Sequence, residues 1–266
     1  LDFSKLQIEM AAQRAISKVA AGAKAIIEVR PWKWRADTPY EIILEEPAVS
    51  EMMTYMTYLG FGARSYHEER SFMSGKLGQK VTGENITIWD DAYNEQLLPM
   101  PFDYQGVPKK SVILIDKGIA KNILYDHYLG LKYGATPTGH GYPAPNTEDA
   151  YATNLHLAPG ATPKKDLIKG IKKGILVSRF WYVRNVHPKE LTITGMTRDG
   201  TFLIENGEII SGVPNMRFTV SIPKVLSSVT HISQETRAEP SDEWAGASLL
   251  PSIRVSEFTF TGVSKL

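Results

Sequence analysis

LTITGMTRDGTFLIENGEIIS, residues 191–211, is the stretch on which the fold turns. Two runs of β-branched and apolar residues flank Asp199-Gly200, and a third follows Asn206-Gly207. Asp-Gly and Asn-Gly favour two-residue hairpin turns because both central residues must reach positive φ. Read this way, residues 201–205 serve two hairpins at once, and the stretch is a three-stranded antiparallel meander.

The same kind of signal recurs on either side. NITIWDD at 85–91 alternates, and SVILID with IAKNILYD flanks Lys117-Gly118 as another hairpin. SIRVSEFTFTG at 252–262 closes the chain as a strand. EIILEE at 41–46 reads as a strand, after which Pro47, comfortable in a first turn, opens a helix through Leu59. Gly60 and Gly62 end it. Residues 64–83 hold no period and become a long loop with one helical turn. Residues 163–173 and 223–228 read as helical interruptions.

Toward the start, Leu6, Ile8, Ala11, Ala15, Ile16 and Val19 recur at helical spacing over 3–19. AIIEVR at 25–30 reads as a short strand, and PWKWRADTPY at 31–40 as a connector. The expected organisation is therefore the end of a preceding domain over 1–38 and one domain over 39–266. The fold class is α+β: a largely antiparallel β-sheet domain with a few flanking helices. Without an alternating βαβ rhythm, a doubly wound sheet is not expected.

The 266 residues are 42% hydrophobic and 22% charged, an ordinary globular composition able to bury a core. Thirty basic against twenty-nine acidic residues leave a charge of +1, which marks no nucleic-acid binder. No apolar run approaches the roughly 20 residues of a membrane helix. The opening LDFSKLQIEMAAQRA is a charged amphipathic helix pattern and not a signal peptide. It begins with Leu1 and reads as mid-protein, so a fragment or processed form is expected. The absence of cysteine excludes disulfides and thiolate zinc sites and fits a cytoplasmic protein.

His67-Glu68 opens like a metallopeptidase helix, but Ser71 stands where the second histidine belongs. No two of the six histidines lie at i, i+4. GKLGQK at 75–80 has the glycine and lysine of a phosphate loop in the wrong order, and there is no Gly-x-Ser-x-Gly elbow. Asp90-Asp91 and Glu205 sit at strand ends, where carboxylates commonly form turns. Lys164, Lys165, Lys169, Lys172 and Lys173 form a solvated helix face. Asp126, His127 and His140 are scattered candidates for an independent hydrolase. A sheet-rich domain can also take an extended peptide as an added strand.

Four ordered blocks carry a resemblance: GFGARSYHEERSFMSGKLGQKV, NITIWDD, FDYQGVPKKSVILIDKGIAKNILYDHYLGLKYG, and GILVSRFWYVRNVHPKELTITGMTRDGTFLIENGEIISGVPNMRFTVSIPKVL. Nearly continuously from Tyr40 to the C-terminus, the chain resembles the C-terminal domain of the TldD/PmbA family. These are proteins of the TldD–TldE peptidase system, once described as modulators of DNA gyrase. In that family the TldD-type subunit holds zinc on a His-Glu-x-x-x-His helix and a distant cysteine. The equivalent stretch here is PAVSEMMTYMTYLGFG, with Met52, Met53 and Thr57 where ligands and glutamate would fall.

The resemblance thus points to the TldE/PmbA branch. It implies no catalytic, metal or cofactor-binding residue in this chain and zinc in a TldD-type partner. It also implies a heteromer with a TldD-like subunit or a homodimer, and unfolded or extended peptides as substrate; the near-neutral charge and the lack of a long apolar run lead us to expect neither nucleic acid nor membrane as partner. The alternative is a stand-alone or homodimeric peptide-binding module. Met52, Met53, Tyr55, Met56 and Tyr58 are read as core in preference to interface. Arg64, His67, Arg70 and Lys76 are polar loop residues near the ligand-helix position by chain adjacency alone.

Overall fold

The computed structural model describes residues 8–27, 39–143, 147–241 and 246–263. The closing strand, β11 (Ala247–Val263), organises the whole molecule. Its middle pairs antiparallel with β1 (Pro39–Leu44), and its end with β9 (Met216–Ser221). β1 runs parallel to β6 (Lys173–His187), β6 pairs with β7 (Thr192–Glu205), and β7 returns to β9. Five strands therefore form a closed circuit, which leaves them few open edges.

Two strands flank the circuit. β8 (Glu208–Gly212) pairs with β7, and β10 (Val229–Pro240) lies along β11. A wing leaves the start of β11 through β5 (Asn154–Leu157), then β2 (Ile88–Asp90), β3 (Val112–Asp116) and β4 (Ile119–Ala120). Among the described pairings between strands only β1–β6 and β5–β11 are parallel, so the largely antiparallel α+β expectation holds.

α2 (Glu46–Leu59) starts with Pro47 in its first turn and stops where the Gly60 N–H bonds the Met56 carbonyl. It packs on β6, β10 and β11 and is buried on nearly every side. Met52, Met53 and Met56 are fully buried, and Tyr55 donates to the Val183 carbonyl at 2.7 Å. The core reading thus holds for Met52, Met53, Tyr55 and Met56, while Tyr58 is only partly buried. Beside it Phe180 and Phe218 pack 4.3 Å apart, Phe218 and Phe258 5.5 Å, and Phe258 and Phe260 5.1 Å, typical tilted aromatic geometry.

Two predicted hairpins are present. Asn206 and Gly207 turn β7 into β8 with φ 51° and 79°, and Lys117 and Gly118 turn β3 into β4 with φ 47° and 80°. The third is corrected. Asp199 and Gly200 reach φ 56° and 133°, yet β7 runs on unbroken through them. They lie opposite the single residue Ser178 in β6, a bulge that absorbs an extra residue instead of reversing the chain. The meander is thus β6–β7–β8.

Other corrections are local. Residues 163–173 give only a 3-10 turn, Lys164–Asp166, and Lys173 already starts β6. Of residues 119–126 only Ile119–Ala120 are strand; the chain then enters α4 (His127–Tyr133), whose N-cap Asp126 accepts from Leu129 N at 2.6 Å. Ala25–Ile27 continue α1 (Ile8–Ile27) and form no strand, while residues 28–38 lie outside the described part. α3 (Ala63–His67) is the predicted helical turn, and α5 (Ile222–Ser227) matches the second interruption. No described helix is long and apolar enough to cross a membrane.

Candidate functional site

α2 offers thioethers and a hydroxyl where zinc chemistry needs imidazole, carboxylate or thiolate. Its Thr57 hydroxyl accepts from Ala152 N at 2.8 Å and is committed to structure. The donor set of Met52, Met53 and Thr57 does not fit zinc. Among the described residues no three His, Cys, Asp or Glu side chains converge as a ligand set.

Next to α2 lies a buried polar cluster that no sequence motif announced. Asp90 ends β2 with one carboxylate oxygen accepting from Asn154 N at 2.8 Å and the other 3.2 Å from His140 Nε2. His140 Nδ1 is in turn 2.9 Å from the Thr138 hydroxyl. Lys109, only 3% exposed, donates to Thr153 Oγ1, whose hydroxyl bonds Asn154 Oδ1 at 2.8 Å. Asp103, also buried, gathers the N–H groups of Gln105, Val107 and Gly141 at 2.7–2.9 Å.

Burial pushes the Asp90 carboxyl up, but the His140 hydrogen bond, the His140 and Lys109 charges and the Asn154 N–H outweigh it and hold it below its usual value. Burial pushes the Lys109 ammonium down, and the charges of Asp90 and Asp103 only partly offset this. Burial also drives the neighbouring Tyr142 phenol up to about 12. The cavity between Tyr104, Lys109, His140, Tyr142 and Tyr151 measures about 10 Å³. That is room for about one water molecule and none for a peptide. The cluster locks β2 to β5 and the loop before β3; a perturbed pKa is not by itself a catalytic site.

The residues nominated beside the ligand helix take structural posts. Arg64 and Ser65 donate their backbone N–H groups to Asp149 at 2.9 and 2.7 Å, which caps α3 from a distant loop. His67 stacks on Tyr133, ring centroids 3.7 Å apart, and its Nε2 lies 2.9 Å from the Tyr125 hydroxyl. Burial and the Lys132 charge hold its pKa below the usual value. Arg70 pairs with Glu68 at 2.6 Å, and Lys76 is exposed. His67 thus belongs to an aromatic cluster, while Glu68 ends α3 and pairs with Arg70.

The other candidates do not converge either. Asp126 is a cap, exposed His127 donates its N–H to Gln105, and His140 is buried against Asp90. Lys164 reaches the buried Glu46 at 2.6 Å and Lys169 pairs with Asp166, and with only a 3-10 turn at Lys164–Asp166 and Lys173 in β6 the five lysines share no helix face. One open groove of about 510 Å³ runs between Leu77, Ile113, Lys121, Tyr125 and Thr136, beside the short strand β4. Ile113 on its wall is half exposed.

Comparison with known proteins places these features. Residues 37–262 match the family described as PmbA/TldA metallopeptidase C-terminal domain. A metalloprotease TldD homolog from Haemophilus influenzae is 26% identical over 65% of this chain and 36% of its own length. A metalloprotease PmbA homolog from the same organism is 24% identical over 88% of this chain and 49% of its own length. The chain thus spans between a third and a half of these relatives. The crystal structure of TldE from Thermococcus kodakarensis superposes with a TM-score of 0.81 at 22% identity, covering 97% of this chain and 56% of that one.

Proposed function

This chain belongs to the TldD/PmbA metallopeptidase family, and we propose that it serves there as a TldE/PmbA-type subunit without zinc ligands, working beside a TldD-like subunit that carries them. The observation behind this reading is α2. The sequence resemblance assigns it the place of the family's ligand helix, and it buries Met52, Met53 and Met56 completely. A helix committed to core packing on three strands has no face left for a metal.

On this reading zinc in the partner supplies the activated water. The present chain contributes wall and closure, built from residues 39–266 around the closed strand circuit. Substrates are unfolded or extended peptides, degraded or trimmed in a cytoplasmic assembly. Co-expression with a TldD-like subunit from the same genome tests it. The two should elute together and cleave an unfolded peptide until a chelator is added, while the chain alone cleaves nothing. Chelator-sensitive cleavage by the chain alone overturns it.

A second reading, a peptide-binding module with no peptidase partner, is favoured by the open groove beside β4. It requires peptide binding by the chain alone and no association with a TldD-like subunit.

A further inference from the structure

The outer face of β6, β7 and β9 is composed unlike a solvated sheet. In the first row Arg179 lies directly opposite Arg198. In the second, Trp181 lies opposite Met196, which lies opposite Arg217. In the third, Arg184 lies opposite Thr194, which lies opposite Thr219. Register partners share a face, so four arginines stand on one patch with Asp199 beside them.

Like charges directly opposite on an antiparallel ladder are unfavourable, and Arg179 and Arg198 are so placed, with Asp199 ion-paired to both. Tyr182, a bulky residue, sits at φ 51° in a bulge, a conformation such residues rarely adopt. The bulge breaks the in–out alternation, so Trp181 and Tyr182 both face outward, 43% and 66% exposed.

The arginines also hold the rings in place. Arg179 and Arg198 lie 5.2 and 4.4 Å from the Trp181 ring, and Arg184 lies 4.4 Å from the Tyr182 ring. Trp, Tyr and Arg held in advance of binding are the composition of an interface centre. The chain as a whole is nearly neutral, so this patch is a local concentration of positive charge.

We propose that this face docks an acidic polypeptide segment, with carboxylates received by Arg198 and Arg217 and apolar side chains lying on Trp181 and Tyr182. Arg217 lies opposite Met196, so Arg198 and Arg217 are diagonal neighbours about 7–8 Å apart, close to the roughly 7 Å between alternate side chains of one extended segment. The inference does not rest on the subunit role proposed above.

The test is fluorescence anisotropy of the full chain with a labelled peptide in which glutamate and leucine alternate, and with labelled single-stranded oligothymidine. The variants are Trp181→Ala and the double change Arg198→Glu with Arg217→Glu, each with its melting temperature recorded. The expected result is peptide binding that weakens about tenfold or more in both variants and fades with salt. If Trp181→Ala fails to fold, the exposed-arginine double variant alone decides. Equal peptide binding by the double variant overturns the proposal. So does tighter binding of the oligonucleotide with the same dependence on these residues, or self-association lost in the variants with no peptide binding at all.

Discussion

Asp90 and His140, fifty residues apart in the chain, meet with both side chains fully buried and 3.2 Å between their polar atoms. Lys109 adds its charge from the same interior. Buried polar networks rigidify a fold when every member is satisfied and weaken it sharply when one is removed.

Asp90→Asn removes the charge that this network is built around and should cost roughly 1.5–3 kcal/mol at neutral pH. The folded pKa of Asp90 lies below its unfolded value, so its contribution is present above the unfolded pKa, about 4. It disappears as pH falls through the folded pKa. Melting temperatures of wild type and variant should therefore differ at pH 7 and converge under acid. A gap that stays constant down to acid pH contradicts the assignment.

α2 supplies a second prediction. Met52→Ala or Met53→Ala empties a fully buried site and should cost about 2–5 kcal/mol in chemical denaturation, with the oligomeric state unchanged. A loss of association without loss of stability would make these residues an interface.

Gly62 and Asp149 are coupled by space. A Cβ on Gly62 would lie 2.1 Å from the Asp149 carboxyl carbon, and that carboxylate caps α3 through Arg64 and Ser65. Gly62→Ala and Asp149→Ala should each lower stability by about 1–3 kcal/mol. Their double variant should lose less than the sum, because both act on one contact. Simple additivity in thermal melts would show two separate effects.

Gly200→Ala tests the bulge that corrects the hairpin reading. At φ 133° the backbone favours glycine, and a Cβ would meet the Ser178 hydroxyl at 2.6 Å. A loss of about 1–3 kcal/mol is expected in thermal denaturation. An unchanged melting temperature would show that β7 bends freely there.

Much of the fold was legible because the local signals are strong. Pro47 and Gly60 bracket α2, and Lys117-Gly118 and Asn206-Gly207 turn their hairpins as their φ preferences require. Asp199-Gly200 misled because the same positive φ serves a turn or a bulge, and only the partner strand decides which. That partner, β6, went unread. Its inward residues Ile175, Val177, Phe180 and Val183 lose their alternation twice, at Ser178 and at the Tyr182 bulge, and its first residue carried a helix signal from Lys164 onward.

For the site, the sequence offers only Met52, Met53 and Thr57 at the positions where the resemblance places zinc ligands. The Asp90–His140–Lys109 cluster could not be found, because its members come from β2 and two loops at unrelated spacings. The one local hint was the Lys109-Lys110 pair just before β3, and nothing in it says that one lysine is buried and the other exposed. The arginine–aromatic face hid for a similar reason: opposite registers on three strands are set by pairing, not by order in the chain.

Zinc stoichiometry by elemental mass spectrometry tests the central claim most directly. The untagged chain should be measured alone and then in complex with a TldD-like subunit. The account predicts essentially no zinc on this chain and about one zinc per TldD-like subunit in the complex. About one zinc per chain in the isolated protein, with chelator-sensitive peptide cleavage, would contradict it.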